Sequence, residues 1–435
     1  MSEKVEIDVE YLTRVEGHGN IVVNAEDGNI EKCEWQVIEA PRFFESLVVG
    51  RNWKEVHHIT SRICGICSIA HTLASLKATE AALGVEVSEQ DVLLRKLALH
   101  GENIQSHILH LGYLALPDFV DSDSILPLIS SNKEEVKTVI RIHRLANYLS
   151  ELIGGRTTHP QRLIPGGFSK LPSEKELRDL KGRLKNSIDD LKSITELLED
   201  LAPKLPNFSR ETEFISITSD EEYPFYDGIL ASTDTGTAPV HNYLDYTNEY
   251  MVSQSTAKYT KHNRESYMVG ALARLNNNYG KLSPMARETA EIFDLNSINC
   301  NPFMNNIAQL VEIVHNVEDS IDIIDELMER GVKPQDPYHQ PDISVKAGRG
   351  IGVVEAPRGI LFHDYVYDED GICTEANAII PTNQNHGNIQ RDMEELVPQI
   401  LDKSEDEIEL TLEMLVRAYD PCISCSTHYL DVEFV

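Results

Sequence analysis

The chain has 435 residues, with 39 Lys or Arg against 71 Asp or Glu, which leaves a formal charge of −32 at neutral pH. Nucleic acids are bound through clustered positive charge, so this balance rules out a nucleic-acid reader as the default. A composition of 41% hydrophobic and 25% charged residues is ordinary for a globular chain and unlike disorder, collagen or a disulfide scaffold, and the length suffices to bury a large core in two or three lobes.

Met1 to Glu6 carries neither a basic nor an apolar export region, and no uncharged apolar run reaches about 18 residues. The expectation is a soluble chain that does not export itself and has no membrane span. Strands are expected at Val5 to Leu12, Asn20 to Ala25 and Ile30 to Ile38, with a turn at Asp27-Gly28. After Cys64 the period changes: Ile69, Leu73, Leu76 and Leu83 are spaced for a helix that stops at Gly84. Ser88-x-x-Asp91 opens a second helix, which carries His100, His107 and His110. Asn132-x-x-Glu135 opens a third, ending at Gly154-Gly155, and Ser173-x-x-Glu176 a fourth, running to about Ala202. Residues 205–240 are rich in Pro, Thr, Ser, Asp and Gly and read as a loop-and-strand insertion. Helical periodicity resumes from about Asn242 and is clear from Ile307 to Arg330. Ile343 to Phe362 and Gly371 to Ile380 return to short strands before a last helix, Glu405 to Ala418.

The fold expected is α+β: a central long-helix bundle with a small N-terminal β unit and short peripheral strands. Its parts are a β unit (1–60), a helical core (61–204), the insertion (205–240) and a C-terminal helical and strand region (241–435), all in one integrated catalytic domain.

Seven cysteines are present, and four form the pairs Cys64-x-x-Cys67 and Cys422-x-x-Cys425, which stand 355 positions apart in the chain. A two-residue spacer lets two sulfurs converge on one metal, and four convergent thiolates suit zinc, an iron–sulfur cluster or a soft transition metal. Zinc ribbons close loops of about 12 to 20 residues, far shorter than this gap, and a thioredoxin-like motif leaves the second pair unexplained. A shared site would join the two ends of the chain. Cys33, Cys300 and Cys373 are left as buried small hydrophobes, and His107 and His110 as core or subunit-interface histidines.

The surroundings say more than the spacing. Arg62-Ile63-Cys64-Gly65-Ile66-Cys67 followed by His71, and Asp420-Pro421-Cys422-x-x-Cys425-x-x-His428, resemble the large catalytic subunit of nickel-iron hydrogenases. The resemblance extends to Arg14-Val15-Glu16-Gly17-His18, Arg42-Phe43-Phe44-Glu45, Ser106-His107-x-x-His110, Glu355-Ala356-Pro357-Arg358-Gly359 and Pro381-Thr382 with Asn385, so it spans nearly the whole chain. The stretch from Arg417 to Ser426 looks most like the cytosolic multimeric branch, which couples H2 to soluble carriers such as NAD(P), coenzyme F420 or a heterodisulfide-linked flavin.

That resemblance implies reversible heterolytic oxidation of H2 at a nickel-iron centre whose iron bears carbon monoxide and cyanide. Cys64 and Cys422 would be terminal nickel ligands, and Cys67 and Cys425 would bridge the metals. The base would be the Cys422 thiolate or the Arg358 guanidine, with Glu16 carrying the proton onward. Asp118 and Asp420 would hold Arg358, Arg358 and Thr382 beside Pro381 would donate to the cyanides, and His71 to a bridging sulfur. Glu45 and His428, with a backbone carbonyl near Ala378, would hold magnesium or a similar ion. The electrons would leave through an iron–sulfur small subunit, then through further flavin- or nucleotide-handling subunits, in the cytoplasm. Relatives of this kind commonly lose a C-terminal extension just after the equivalent of His428; here an apolar Tyr429 to Val435 follows, and the expectation is that it is retained. The competing readings are a zinc-stabilised interaction protein and a metal-free scaffold subunit related to respiratory complex I.

Overall fold

Small residues on one helix and one strand set the frame of the molecule. The helix Ser68–Leu83 lies along the strand Gly348–Ala356, and it presents Ala74, Ala78 and Ala82, spaced to share one face. Opposite them are Gly348, Gly350 and Gly352, every second residue of the strand; a methyl at any of the three would collide with the backbone of that alanine row. Backbone therefore rests on backbone, and the helix that begins immediately after Cys67 is fixed against the sheet Gly348–Ala356, Gly359–Tyr367 and Cys373–Ile379.

The computed structural model describes residues 4–120, 122, 124–296, 298–333 and 343–428. The expected retention of Tyr429 to Val435 lies outside the described residues. Three antiparallel strands, Lys4–Val9, Gly19–Glu26 and Asn29–Val37, form the N-terminal sheet. The Asp27-Gly28 turn has positive φ at both residues, as the sequence suggests. The sheet packs on two C-terminal helices, Pro381–Ile400 and Glu405–Ala418. Around these run the long helices Glu89–Leu109, Lys133–Gly154 and Asn305–Arg330, the first packed on both of the others. One hydrophobic cluster contains Val5, residues of all these helices, and Cys425. Among the described residues no helix is long and apolar enough to cross a membrane.

Ser88 accepts from Asp91 N and Ser173 forms a full capping box with Glu176, as the sequence signals, whereas Asn132 starts its helix without a side-chain cap bond; Ser404, which no sequence signal singled out, forms a capping box with Glu407. Four expectations change. The single helix from Ser173 to Ala202 is two, Glu174–Asn186 and Ile188–Leu201, broken where the Ser187 hydroxyl donates to Leu184 O. After one helical turn, Tyr243–Tyr246, the stretch is short strands, Asn248–Tyr250, Tyr259–Lys261 and Tyr267–Met268, in keeping with its tyrosines; a longer helix resumes only at Ala271. Pro381–Ile400 is a 20-residue helix with Pro381 at its first turn, where a missing N–H costs nothing. Lastly, Cys33 and Cys300 are half-buried, and only Cys373 of the three unpaired cysteines is buried.

Candidate metal centre

Both cysteine pairs sit where regular structure stops. Cys64 and Cys67 occupy the link into the helix Ser68–Leu83, whose first N–H groups, Ile69 and Ala70, donate to the buried Glu102 carboxylate at 2.5 and 2.8 Å. Burial pushes the Glu102 carboxyl well above its ordinary range, against those two hydrogen bonds. Cys422 follows the helix Glu405–Ala418 and begins the single turn Ile423–Ser426. Arg42 ties the two loops together: Nη2 donates to Ile63 O at 2.8 Å and also to Ser424 O.

The sulfurs converge. Cys422 Sγ lies 3.4 Å from Cys64 Sγ and 2.6 Å from Cys425 Sγ. Cys64, Cys422 and Cys425 have ligand atoms within 4.8 Å of one another, and so do Cys67, His71 and Cys425. Thiolates about 2.3 Å from a shared ion span at most about 4.6 Å, so the donor set has the size of a metal site, with Cys425 common to both groups. All four cysteines are buried. Hydrogen bonds from Cys422, Cys425 and Cys67 hold Cys64 well below the usual thiol range, whereas burial pushes Cys422 up and Cys425 to about 11. One thiolate is favoured and further ones are opposed, so full ionisation needs a cation among the sulfurs.

Two buried donors stand at this cluster without a hydrogen-bond partner, Arg358 Nη1 and His71 Nε2. Arg358 is anchored from behind, Nε donating to Asp420 O at 2.6 Å and Nη2 to Asp420 Oδ1 at 2.8 Å. Burial opposes its charge, but Asp420 and the cysteines outweigh that and push its pKa further up. Asp420 itself has φ 50°, a left-handed conformation held directly before Pro421. Gln309 Nε2 secures the other Asp420 oxygen at 3.1 Å. His71 Nδ1 meets His363 Nε2 at 3.1 Å, and burial lowers the His71 pKa to about 4, so the ring is neutral with one side bound and the other left for sulfur. These orphaned donors and soft sulfurs fit a thiolate-bound metal that carries further acceptor ligands.

Glu16 reaches the cluster from the N-terminal side. Residues 16 and 422 form a parallel bridge, in which Ile423 N donates to Glu16 O at 2.9 Å. Cys422 Sγ donates to Glu16 Oε2 at 3.2 Å, Ser424 N donates to the same oxygen at 3.1 Å, and Ser424 Oγ donates to Oε1 at 2.6 Å. The expectation for Asp118 is corrected. Its oxygens are taken by Arg14 at 2.5 Å and by Arg417 at 2.8 and 2.9 Å, so it braces the N-terminal segment against the last helix and does not hydrogen-bond Arg358. Thr382 Oγ1 accepts from Cys422 N at 3.0 Å, which leaves its own proton to donate. Glu45 Oε1 and His428 Nδ1 are 2.5 Å apart, and Glu45 Oε2 is buried without a partner. Glu45 and Ala378 line a cavity of about 10 Å³ there, roughly one water in size.

Several groups at the centre escaped the sequence reading. Ser424 stands between Cys422 and Cys425, and its position inside the pair was the available signal. Glu39, Gln309 and Asn383, which donates to Ser426 O at 2.9 Å, had no local signal at all. His107 and His110 are core residues: His107 Nε2 meets Glu312 at 2.8 Å, and His110 spans Gln309 Oε1 and Arg417 O at 2.6 and 2.7 Å.

Comparisons with known proteins agree with this geometry. A family model described as nickel-dependent hydrogenase matches residues 42–141 and 204–428, and a model described as HoxL-like matches residues 6–40. The chain is 33% identical to the alpha subunit of sulfhydrogenase 1 from Pyrococcus furiosus over 427 residues, 97% of each chain. It is 34% identical to a vhu subunit of the F420-non-reducing hydrogenase of Methanocaldococcus jannaschii, over 87% of this chain and 95% of that one. Among solved structures, an NAD+-reducing NiFe-hydrogenase in the H2-reduced state superposes with TM-score 0.84 and 26% identity, covering 97% of this chain and 99% of the other. A NiFeSe-hydrogenase of Dm. baculatum shares the fold with TM-score 0.77 at 20% identity.

Proposed function

The chain belongs to the nickel-dependent hydrogenase family, and from that premise we propose how its own residues serve the oxidation of H2 to protons and electrons. It is the catalytic subunit of an oxidoreductase acting on H2. The observation that carries the reading is the meeting of four thiol sulfurs from pairs 355 residues apart with two buried, partnerless donors, Arg358 Nη1 and His71 Nε2.

Nickel and iron are the metals of the family. When bound, they would supply the redox chemistry, a sink for the electron pair of the H–H bond. Cys64, Cys67, Cys422 and Cys425 would hold the metals, and His71, which groups with Cys67 and Cys425, would donate to one of their sulfurs. Arg358 Nη1 and the Thr382 hydroxyl are suited to cyanide nitrogens on iron, beside carbon monoxide. The proton is received at Cys422 Sγ or at Arg358, and Glu16 Oε2, in hydrogen-bond contact with Cys422 Sγ, takes it onward. Glu45, His428 and the Ala378 carbonyl are assigned to a magnesium-type ion, in keeping with the unpartnered Glu45 oxygen.

With four of seven cysteines at the metals, no cysteine set remains for an iron–sulfur cluster. Electrons therefore leave through a partner subunit that carries clusters. The likeness to an NAD+-reducing hydrogenase supports flavin- or nucleotide-handling subunits beyond it, and the stretch from Arg417 to Ser426 is what supports a cytoplasmic complex. Metal analysis tests the reading: nickel and iron near one each are expected, with infrared bands from metal-bound carbon monoxide and cyanide. Zinc alone, without such bands, would refute it.

A further inference from the structure

Beyond Glu16 a chain of hydrogen-bonding groups continues to the surface of the subunit. Ser424 Oγ, 2.6 Å from Glu16 Oε1, is also 3.4 Å from Glu39 Oε1. Glu39 Oε1 in turn receives His18 N at 2.9 Å and stands 3.0 Å from His18 Nδ1. Exposure rises along the series: the Glu39 side chain is 16% exposed and that of His18 61%. We propose that Ser424, Glu39 and His18 form the proton exit of this subunit, carrying to solvent the proton that Glu16 receives; the proposal rests on Glu16 as the first carrier.

The chemistry balances at each contact. Protonated Glu16 gives its proton to Ser424 Oγ while the hydroxyl gives its own to Glu39, so one O–H bond forms on the carboxylate for the one broken on Glu16, and the serine ends unchanged. A hydroxyl suits this place because it donates and accepts at once, whereas two adjacent carboxylates would only repel each other. With the imidazole proton on Nε2, His18 Nδ1 accepts from Glu39, and Nε2 releases a proton to water. No charge is left behind and no oxidant or reductant is consumed.

The backbone is built for this approach. Gly17 has φ +88°, and a Cβ there would stand 2.8 Å from Ile423 Cβ and Ser424 N and 2.9 Å from Glu39 Oε1. Any side chain at 17 would push the cysteine loop and Glu39 off the segment that carries Glu16 and His18.

The experiment uses the purified, metal-loaded complex and begins with Glu16→Gln, which must itself suppress hydrogen–deuterium exchange; parental exchange in that variant would refute the Glu16 reading and this proposal with it. Given a silent Glu16→Gln, Ser424→Ala and Glu39→Gln are each expected to slow exchange at least about tenfold. Nickel content and carbon monoxide and cyanide bands should stay those of the parent. Ser424→Thr, which keeps the hydroxyl, should exchange at close to the parental rate, and added imidazole should restore His18→Ala. A readout independent of turnover is the infrared difference spectrum between oxidised and H2-reduced protein, where a protonated-carboxyl band should disappear in Glu39→Gln. Parental exchange in both Ser424→Ala and Glu39→Gln, or a carboxyl band unaltered by Glu39→Gln, would overturn the exit route while leaving Glu16 in place.

Discussion

Arg358 shows how one residue is divided between holding and acting. Two of its nitrogens are spent on Asp420, and the third is buried with nothing to bond. Leaving a guanidinium N–H unsatisfied is costly unless a ligand completes it. Lysine supplies a point charge and cannot grip Asp420 while also presenting a donor forward. Arg358→Lys is therefore expected to retain nickel and iron but lose activity by about a hundredfold or more, read as exchange per bound nickel. Glu16→Gln preserves the shape, its amide oxygen able to accept from Ser424 N and its NH2 able to donate to Ser424 Oγ, yet it cannot carry a proton; unchanged infrared bands with turnover lowered about a hundredfold are expected. Cys422→Ser replaces a soft thiolate with a harder, far less acidic alcohol, so exchange should vanish and nickel content fall. Near-normal exchange in that variant would exclude Cys422 as a metal ligand.

At the scale of elements, the centre depends on a contact made without large side chains. The alanine row of Ser68–Leu83 and the glycines of Gly348–Ala356 bring helix and strand so close that a methyl at Gly350 would enter the backbone of the helix. Neither partner can rotate aside, since both are main chain. Gly350→Ala is expected to destabilise by about 2 kcal/mol or more and to lower metal content, because the same helix carries His71 and follows Cys67. Gly182, inside the helix Glu174–Asn186 with nothing within 4 Å of its Cβ position, is the contrast. There Gly182→Ala should stabilise by about 0.5 to 1 kcal/mol. Thermal melts of the two variants check both signs. The helix Pro381–Ile400 escaped a periodicity reading because buried polar residues, Asn383, Asn385, His386 and Asn388, occupy its inward face. They bond neighbouring segments instead of forming an apolar stripe: Asn385 serves Val269, and His386 serves Trp35 and Ser426.

Across the whole molecule, buried histidines tie stability to pH. Burial lowers His57 and His100 to about 3 and His315 to about 4, against an ordinary value of 6.5. Below pH 6.5 the unfolded chain binds protons that the folded chain does not, so stability falls as pH falls, by about 1.4 kcal/mol per pH unit for each histidine, until the folded values are reached. Denaturant midpoints should therefore drop markedly between pH 7.5 and 5.5; equal midpoints would show that these rings titrate freely in the fold. The cysteine cluster is the second global tie, since it brings residues 64–67 to 422–425. A cation bound only by the folded chain stabilises it by mass action. Protein made without nickel should melt at a lower temperature and be cleaved by protease nearer its C-terminal segment.

The sequence by itself determined which residues make up the candidate centre, because they lie within short motifs whose spacing and neighbours survive any folding: Cys64-x-x-Cys67 and Cys422-x-x-Cys425, with Glu16, Arg358 and His428 in distinctive surroundings. Long helices with strong caps were legible for the same reason, being governed by local periodicity. What joins those motifs was not legible. Asp118 serves Arg14 and Arg417, while Arg358 is held by the Asp420 carboxylate, and Glu39 comes to Ser424 from 385 residues away. Such pairings depend on which segments the core brings together, and an Asp or Glu looks the same in sequence whether it faces solvent or an arginine. Tertiary structure alone decided them, because desolvation and long-range proximity have no signature in local order.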